Sequence, residues 1–202
     1  MSRGKFITFE GIDGAGKSSH IDTVSRLIQS LGYSVVRTRE PGGTPLGEQL
    51  REIVLHQEMS TEVEAMIMYT SRKHLIDTVI EPNLKAGNIV ISDRFVDSSY
   101  AYQVGGNGMD RGVCRKLDDL VLSCIPDLTF LFDLPVEIAA QRMGIQNRDL
   151  DKFEQKKIEF HERVRSEYLR RASEDPRFKI IDASKTIEEI SNEVRNVILN
   201  FN

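Results

Sequence analysis

The sequence predicts an α/β fold, with five parallel strands in one sheet, helices on both faces and a short lid. Three observations carry that expectation. Short, near-continuously apolar runs alternate with helical patterns over 202 residues, and such strands are covered on both sides. The first run ends in a glycine-rich loop that opens a helix. Polar residues also recur where strands end, at Arg39, Asp93-Arg94 and Asp133, the edge at which parallel sheets bind ligands.

The elements follow in order. Ile7, Thr8 and Phe9 form the first strand, and residues 18–31 a helix with apolar positions at Ile21, Val24, Leu27, Ile28 and Leu31. Gly32 ends it, and residues 33–38 make a second strand around Val35 and Val36. A turn through Pro41-Gly42-Gly43 leads to a short helix at 46–55. Ser60 or Thr61 caps a long helix to about Leu84, which Pro82 should bend or end. Residues 89–92 form the third strand, 96–103 a helix broken by Gly105-Gly106-Asn107-Gly108, and 111–124 an amphipathic helix stopped by Pro126. The fourth strand covers 128–132, followed by a helix at 136–143, a polar flexible stretch at 144–151 and a charged helix at 151–172. A strand at 178–182 and a helix at 187–199 close the chain, read as one domain over 1–202 with its lid at about 143–152.

Composition excludes several classes. The chain is 40% hydrophobic and 29% charged, with a net charge of −4, so no global basic excess points to nucleic acid. Cys114 and Cys124 suit neither a disulfide framework nor a four-ligand zinc site, and are expected as reduced thiols on one helix. His20, His56, His74 and His161 lack metal spacing and read as surface or packing residues. The charges from Glu159 to Arg171 read as a solvated helix face. The first residues lead straight into a strand, and no apolar run is long enough for a membrane span, so a cytoplasmic location is expected.

The chemistry starts at F-E-G-I-D-G-A-G-K-S-S, residues 9–19. Gly11, Gly16, Lys17 and Ser18 fit the G-x-x-x-x-G-K-[ST] spacing, which makes this a three-layer P-loop NTPase fold. Backbone N–H groups of Gly11, Ile12, Asp13, Gly14, Ala15, Gly16, Lys17, Ser18 and Ser19 would cradle the phosphates of ATP, beside the positive end of the helix. Lys17 reaches the β- and γ-phosphates, and Ser18 is placed to ligate Mg2+. Asp93 could hold the metal, directly or through water, or orient an acceptor, while Arg94 offers a fork for an acceptor phosphate.

Together with T-R-E-P-G-G-T at 38–44, Y-T-S-R ending at Arg72, D-R-F-V-D-S-S-Y-A-Y-Q at 93–103, P-D-L-T-F-L-F-D at 126–133 and R-D-L-D-K-F-E at 148–154, these residues resemble the thymidylate kinase family. The resemblance implies transfer of the ATP γ-phosphoryl group to the 5′-phosphate of dTMP, giving dTDP and ADP, with Mg2+ and as a homodimer. It offers the long helix at 61–84 as an interface candidate. It also implies roles for the dTMP side: Asp13 at the 3′-hydroxyl, Arg39 and Arg94 on the phosphate with Arg51 assisting, and Arg72 and Ser99 at the base. Tyr102 would crowd the 2′ position. Met68 stands where the family carries an aromatic residue that stacks on thymine, and a sulfur contact would replace stacking. The P-loop has no arginine, which resembles the bacterial type whose catalytic arginine comes from the lid. Arg148 is the first candidate and Arg142 the second.

Two rival readings are a deoxynucleoside kinase and a P-loop switch protein. Arg39 and Arg94 favour a monophosphate acceptor over a nucleoside, and neither N-K-x-D nor a switch-like D-x-x-G occurs for a switch.

Overall fold

A computed structural model describes residues 3–144 and 152–201. The strands β1 (Phe6–Glu10), β2 (Val35–Arg39), β3 (Ile89–Asp93), β4 (Leu128–Asp133) and β5 (Phe178–Asp182) form one parallel sheet in the order β2-β3-β1-β4-β5. β1 is central, with Phe9 opposite Asp93 on one side and Phe130 on the other. Every residue of β1 is buried. Its side chains alternate between two cores, as the strand period of two requires: Ile7 and Phe9 join one, Phe6 the other. The chain leaves β1 on one side and later crosses to β4 on the other, so a crevice opens at the carboxyl ends of β1, β3 and β2.

Helices α1 (Lys17–Ser30) and α9 (Ile187–Leu199) pack beneath the first core, through Val24, Ile28, Val194 and Ile198. On the other face lie α2 (Pro45–His56), α3 (Thr61–Leu75) and α6 (Arg111–Val121). Ser60 is the cap of α3, its hydroxyl accepting from the Val63 N–H. The long helix continues past α3 through a wider π turn at Ile76–Ile80 into α4 (Glu81–Lys85). Pro82 lies in the first turn of α4, so the helix is continued rather than ended; the wider turn makes room for a ring that would crowd the preceding carbonyls. A second π turn, Tyr100–Gly106, extends α5 (Val96–Ser99), carrying helical geometry through two of the glycines expected to break it.

Two further expectations are corrected. Cys114 is on α6, but Cys124 is not, because the helix ends at Val121 and Leu122 turns to extended geometry. Leu120 is already 77% exposed there, so the amphipathic stripe has run out before Pro126. Both cysteines are buried free thiols. The charges of α8 (Lys152–Glu174) do not simply face water: Glu167 is buried, Arg165 pairs with Asp133 at 2.7 Å, and Arg171 pairs with the buried Asp97. The helix lies across α5 and the second π turn, which turns those charges inward. The remaining helix, α7 (Val136–Arg142), leads to residues 145–151, which lie outside the described residues, as do Arg148 and most of the expected lid. Among the described residues, no helix is long and apolar enough to cross a membrane.

Candidate active site

The loop between β1 and α1 is built around glycine. Gly11 has φ 135°, and a Cβ there would sit 2.4 Å from the Phe132 carbonyl oxygen. Gly16, at φ 84°, is the residue before α1 and supplies no side-chain cap, so the first N–H groups of the helix are left for an anion. Lys17 folds back over the loop, its Nζ donating to the carbonyls of Gly11 and Ile12, both at 3.1 Å. Burial pushes its ammonium down to about 8, helped by Arg94 and opposed by Asp93, Asp13 and Glu10. Ser18 and Ser19 are exposed at the mouth.

A cleft of about 320 Å³ joins this loop to the ends of β2 and β3. Gly14, Gly16, Lys17, Ser18 and Ser19 form one wall; Arg39, Glu40, Arg51, Asp93 and Arg94 form the other, with Asp13 at the junction. The Oδ1 atom of Asp93 is buried without a hydrogen-bond partner. A buried orphan carboxylate oxygen across the cleft from an open serine hydroxyl suits a hard divalent cation. Among the described residues no group of three His, Cys, Asp or Glu side chains could hold a metal alone.

Arg94 is the only non-glycine residue among those described with positive φ, at 72°. A strained backbone of this kind persists where the surroundings over-determine it. Its amide donates to the Phe9 carbonyl at 2.9 Å, and the Ser92 hydroxyl donates to its carbonyl at 2.7 Å. From the guanidinium, Nη2 donates to Asp13 Oδ1 at 2.7 Å and to the Tyr102 hydroxyl at 3.1 Å. Arg39 is held by Glu48, with Nη2 to Oε2 at 2.7 Å, and Arg51 donates to the Pro41 carbonyl at 3.0 Å.

Arg72 is wholly buried. Its Nε donates to Glu40 at 2.8 Å, and its Nη2 donates to Ser99 Oγ at 3.1 Å and to the Phe95 carbonyl. Its guanidinium carbon lies 4.6 Å from the Tyr69 ring centre and 5.5 Å from that of Phe95. Burial opposes its charge, but Glu40 outweighs that and holds it firmly protonated. Its Nη1 has no partner.

The structure therefore unites Asp13, Arg94 and Tyr102 directly, and Arg72 with Ser99. Glu40, a cleft residue, links the second group to the first. Met68 is half-buried one turn before Arg72 and does not line the cleft. Arg142 is tied down, donating to the Ala183 carbonyl at 3.0 Å. Sequence reasoning missed Glu10, Glu40, Ser98 and Tyr168. Glu10 could have been noticed as an acid ending an apolar strand, and Glu40 and Ser98 stand inside the quoted motifs at 38–44 and 93–103, while Tyr168 gave no local signal.

Comparison with known proteins agrees along nearly the whole chain. The family model for thymidylate kinase matches residues 9–194. Thymidylate kinases of Paraburkholderia phytofirmans and Cupriavidus metallidurans are 51% and 52% identical, covering 98% and 97% of this chain and 98% of their own. A crystal structure of thymidylate kinase from Ehrlichia chaffeensis superposes with a TM-score of 0.80 at 32% identity, over 97% of this chain and 99% of that one. On a parallel sheet carrying a glycine-rich loop that faces three arginines across one cleft, these likenesses establish that the chain belongs to the thymidylate kinase family.

Proposed function

We propose that this protein transfers the γ-phosphoryl group of ATP to the 5′-phosphate of dTMP. The observation that carries this is the cleft itself, with a P-loop on one wall and Arg39, Arg51 and Arg94 on the other. A nucleoside acceptor would need no such wall of cations, whereas a phosphate acceptor needs charge that a hydroxyl does not.

In this reading the loop from Gly11 to Ser19 binds ATP, and Lys17 meets the charge that spreads over the transferring group. Mg2+ would be held by Ser18 and Asp93 and would neutralise phosphate charge. Arg94 and Arg39 hold the acceptor oxygen in line, and Asp13 sits where the sugar hydroxyl would lie. Arg72 brings an unpartnered Nη1, and Ser99 a hydroxyl, toward the base. Tyr102 closes the sugar side. Positioning and charge supply the catalysis, and no covalent intermediate is required. Arg148 is the expected source of the lid charge, acting on kcat more than on the KM for dTMP. The anchoring of Arg142 on Ala183 leaves it less free for that role. A homodimer through the 61–84 helix and a cytoplasmic location complete the proposal.

The test is an ADP-release assay across dTMP, dUMP, dCMP, dGMP and thymidine. The expected order places dTMP above dUMP, with no turnover of thymidine. Equal use of thymidine would move the protein to the nucleoside kinases. Met68→Phe is expected to leave dTMP affinity unharmed or to tighten it by about 0.5–1 kcal/mol, through a ring contact in place of sulfur. A tenfold weakening by calorimetry would show that Met68 is packed in a site too tight for the ring, or that it stands outside the site.

A further inference from the structure

A closed group of oxygens stands behind Arg94. Glu10, the last residue of β1, is wholly buried although both edges of that strand are already paired, so the sheet itself has no need of a carboxyl there. Its Oε1 accepts the Phe95 N–H at 2.7 Å. Its Oε2 lies 2.7 Å from Ser98 Oγ and 2.8 Å from the Tyr168 hydroxyl, which are 2.8 Å from each other. Arg94 Nη1 donates to both hydroxyls, at 3.2 and 3.0 Å.

We propose that Glu10, Ser98 and Tyr168 are positioning residues for the phosphoryl transfer, gripping one edge of the Arg94 guanidinium so that the other faces the acceptor phosphate. The proposal rests on the dTMP kinase reading. A guanidinium is a planar fork, so two acceptors on Nη1 fix the direction of Nη2 as well. Here Nη2 reaches Asp13 and Tyr102 at the edge of the cleft. Such fixing is needed because Arg94 leaves the backbone at φ 72°, where the usual strand and helix geometry does not guide its side chain.

The proton count supports a closed unit. Three oxygen contacts join Glu10, Ser98 and Tyr168, but the two hydroxyls supply only two hydrogens. All three contacts become hydrogen bonds when Glu10 is neutral and Oε2 donates onward. Burial, with Asp97 nearby, pushes the Glu10 carboxyl up to about 7 against the pull of Arg94, so the neutral form is accessible. The hydroxyls come from α5 and α8, so the grip holds only when both helices are docked on β1.

The test is Tyr168→Phe, which deletes one hydroxyl and keeps the ring that meets Tyr102 edge-on, 6.4 Å between centres. The KM for dTMP is expected to rise about tenfold while the KM for ATP stays within twofold. Ser98→Ala should give the same split. In an Arg94→Ala background, Tyr168→Phe should change kcat/KM for dTMP by less than twofold, because the grip then has nothing to hold. An equal loss in both backgrounds, a rise in both KM values together, or an unchanged KM for dTMP in both single variants would overturn the role. A wild-type protein that leaves dTMP unphosphorylated would overturn the reading beneath it instead, and the two failures are told apart by that first measurement.

Discussion

Lys17→Ala is expected to lower kcat by about 10²–10³ while the protein remains folded and melts no lower than the wild type. Lys17 is the P-loop cation that would meet the transferring charge, and the Gly11 and Ile12 carbonyls accept from its Nζ. Its ammonium is depressed from 10.5 to about 8, mainly by burial. A cation held below its unfolded value costs stability below the folded value, and the cost fades as pH rises toward the unfolded one. That cost is roughly 3 kcal/mol from the size of the shift. Alanine removes it, so the melting temperature at pH 7 should be equal or higher, and the difference should shrink toward pH 10. Activity and melting curves check this together. Near-normal turnover with normal melting would remove Lys17 from the chemistry.

Arg94→Ala is expected to reduce kcat/KM for dTMP by about 10²–10³, with a smaller effect on the KM for ATP. Alanine keeps the same positive-φ strain, so the loss is the side chain's own. The ion pair with Asp13 contributes little to stability, since that carboxylate is 61% exposed. Glu10 behaves differently. It is fully buried and faces Asp97 and Ser98 on α5, Tyr168 on α8 and Lys17 on α1, besides Arg94. Burial has already raised it from 4.5 to about 7, and removing Arg94 raises it further. A raised carboxyl costs stability increasingly as pH climbs from the unfolded value to the folded one. The wild-type cost stops growing near pH 7 and the variant's continues. The melting difference between the two should therefore be small at pH 6 and widen above pH 7. A gap that stays constant from pH 5 to 9 would show that Arg94 does not govern Glu10.

Much of the site is legible in the chain because phosphate recognition is local. Gly11 to Ser19 are consecutive, so the loop, the lysine and the helix N-terminus are specified by spacing alone. The ends of β2 and β3 are also marked in the sequence, since their apolar residues stop at Val36 and Ile91 and the charged Arg39 and Asp93 close the two strands. The errors lie where packing overrides propensity. Two glycines were read as a helix break, yet Gly105 and Gly106 lie against α8, where a Cβ would meet Glu167 or Phe160 within 2.6 Å. Close approach, not chain reversal, is what they permit. The charges of α8 look solvated in sequence because their partners, Asp133 and Asp97, belong to other elements.

The sequence by itself determined the fold class, the glycine-rich loop and the arginines that line the cleft with it, because periodicity and short motifs act over a few residues. Only the tertiary structure decided how those arginines are held. Glu10 and Tyr168 are 158 positions apart, and neither means anything for Arg94 until the sheet closes and α8 docks across it. Arg72 likewise is marked in the sequence only by its motif, and burial alone shows that Glu40 and Ser99 hold it with one nitrogen left unpartnered. A buried charge must find its partners wherever the fold brings them, and sequence distance does not limit that search.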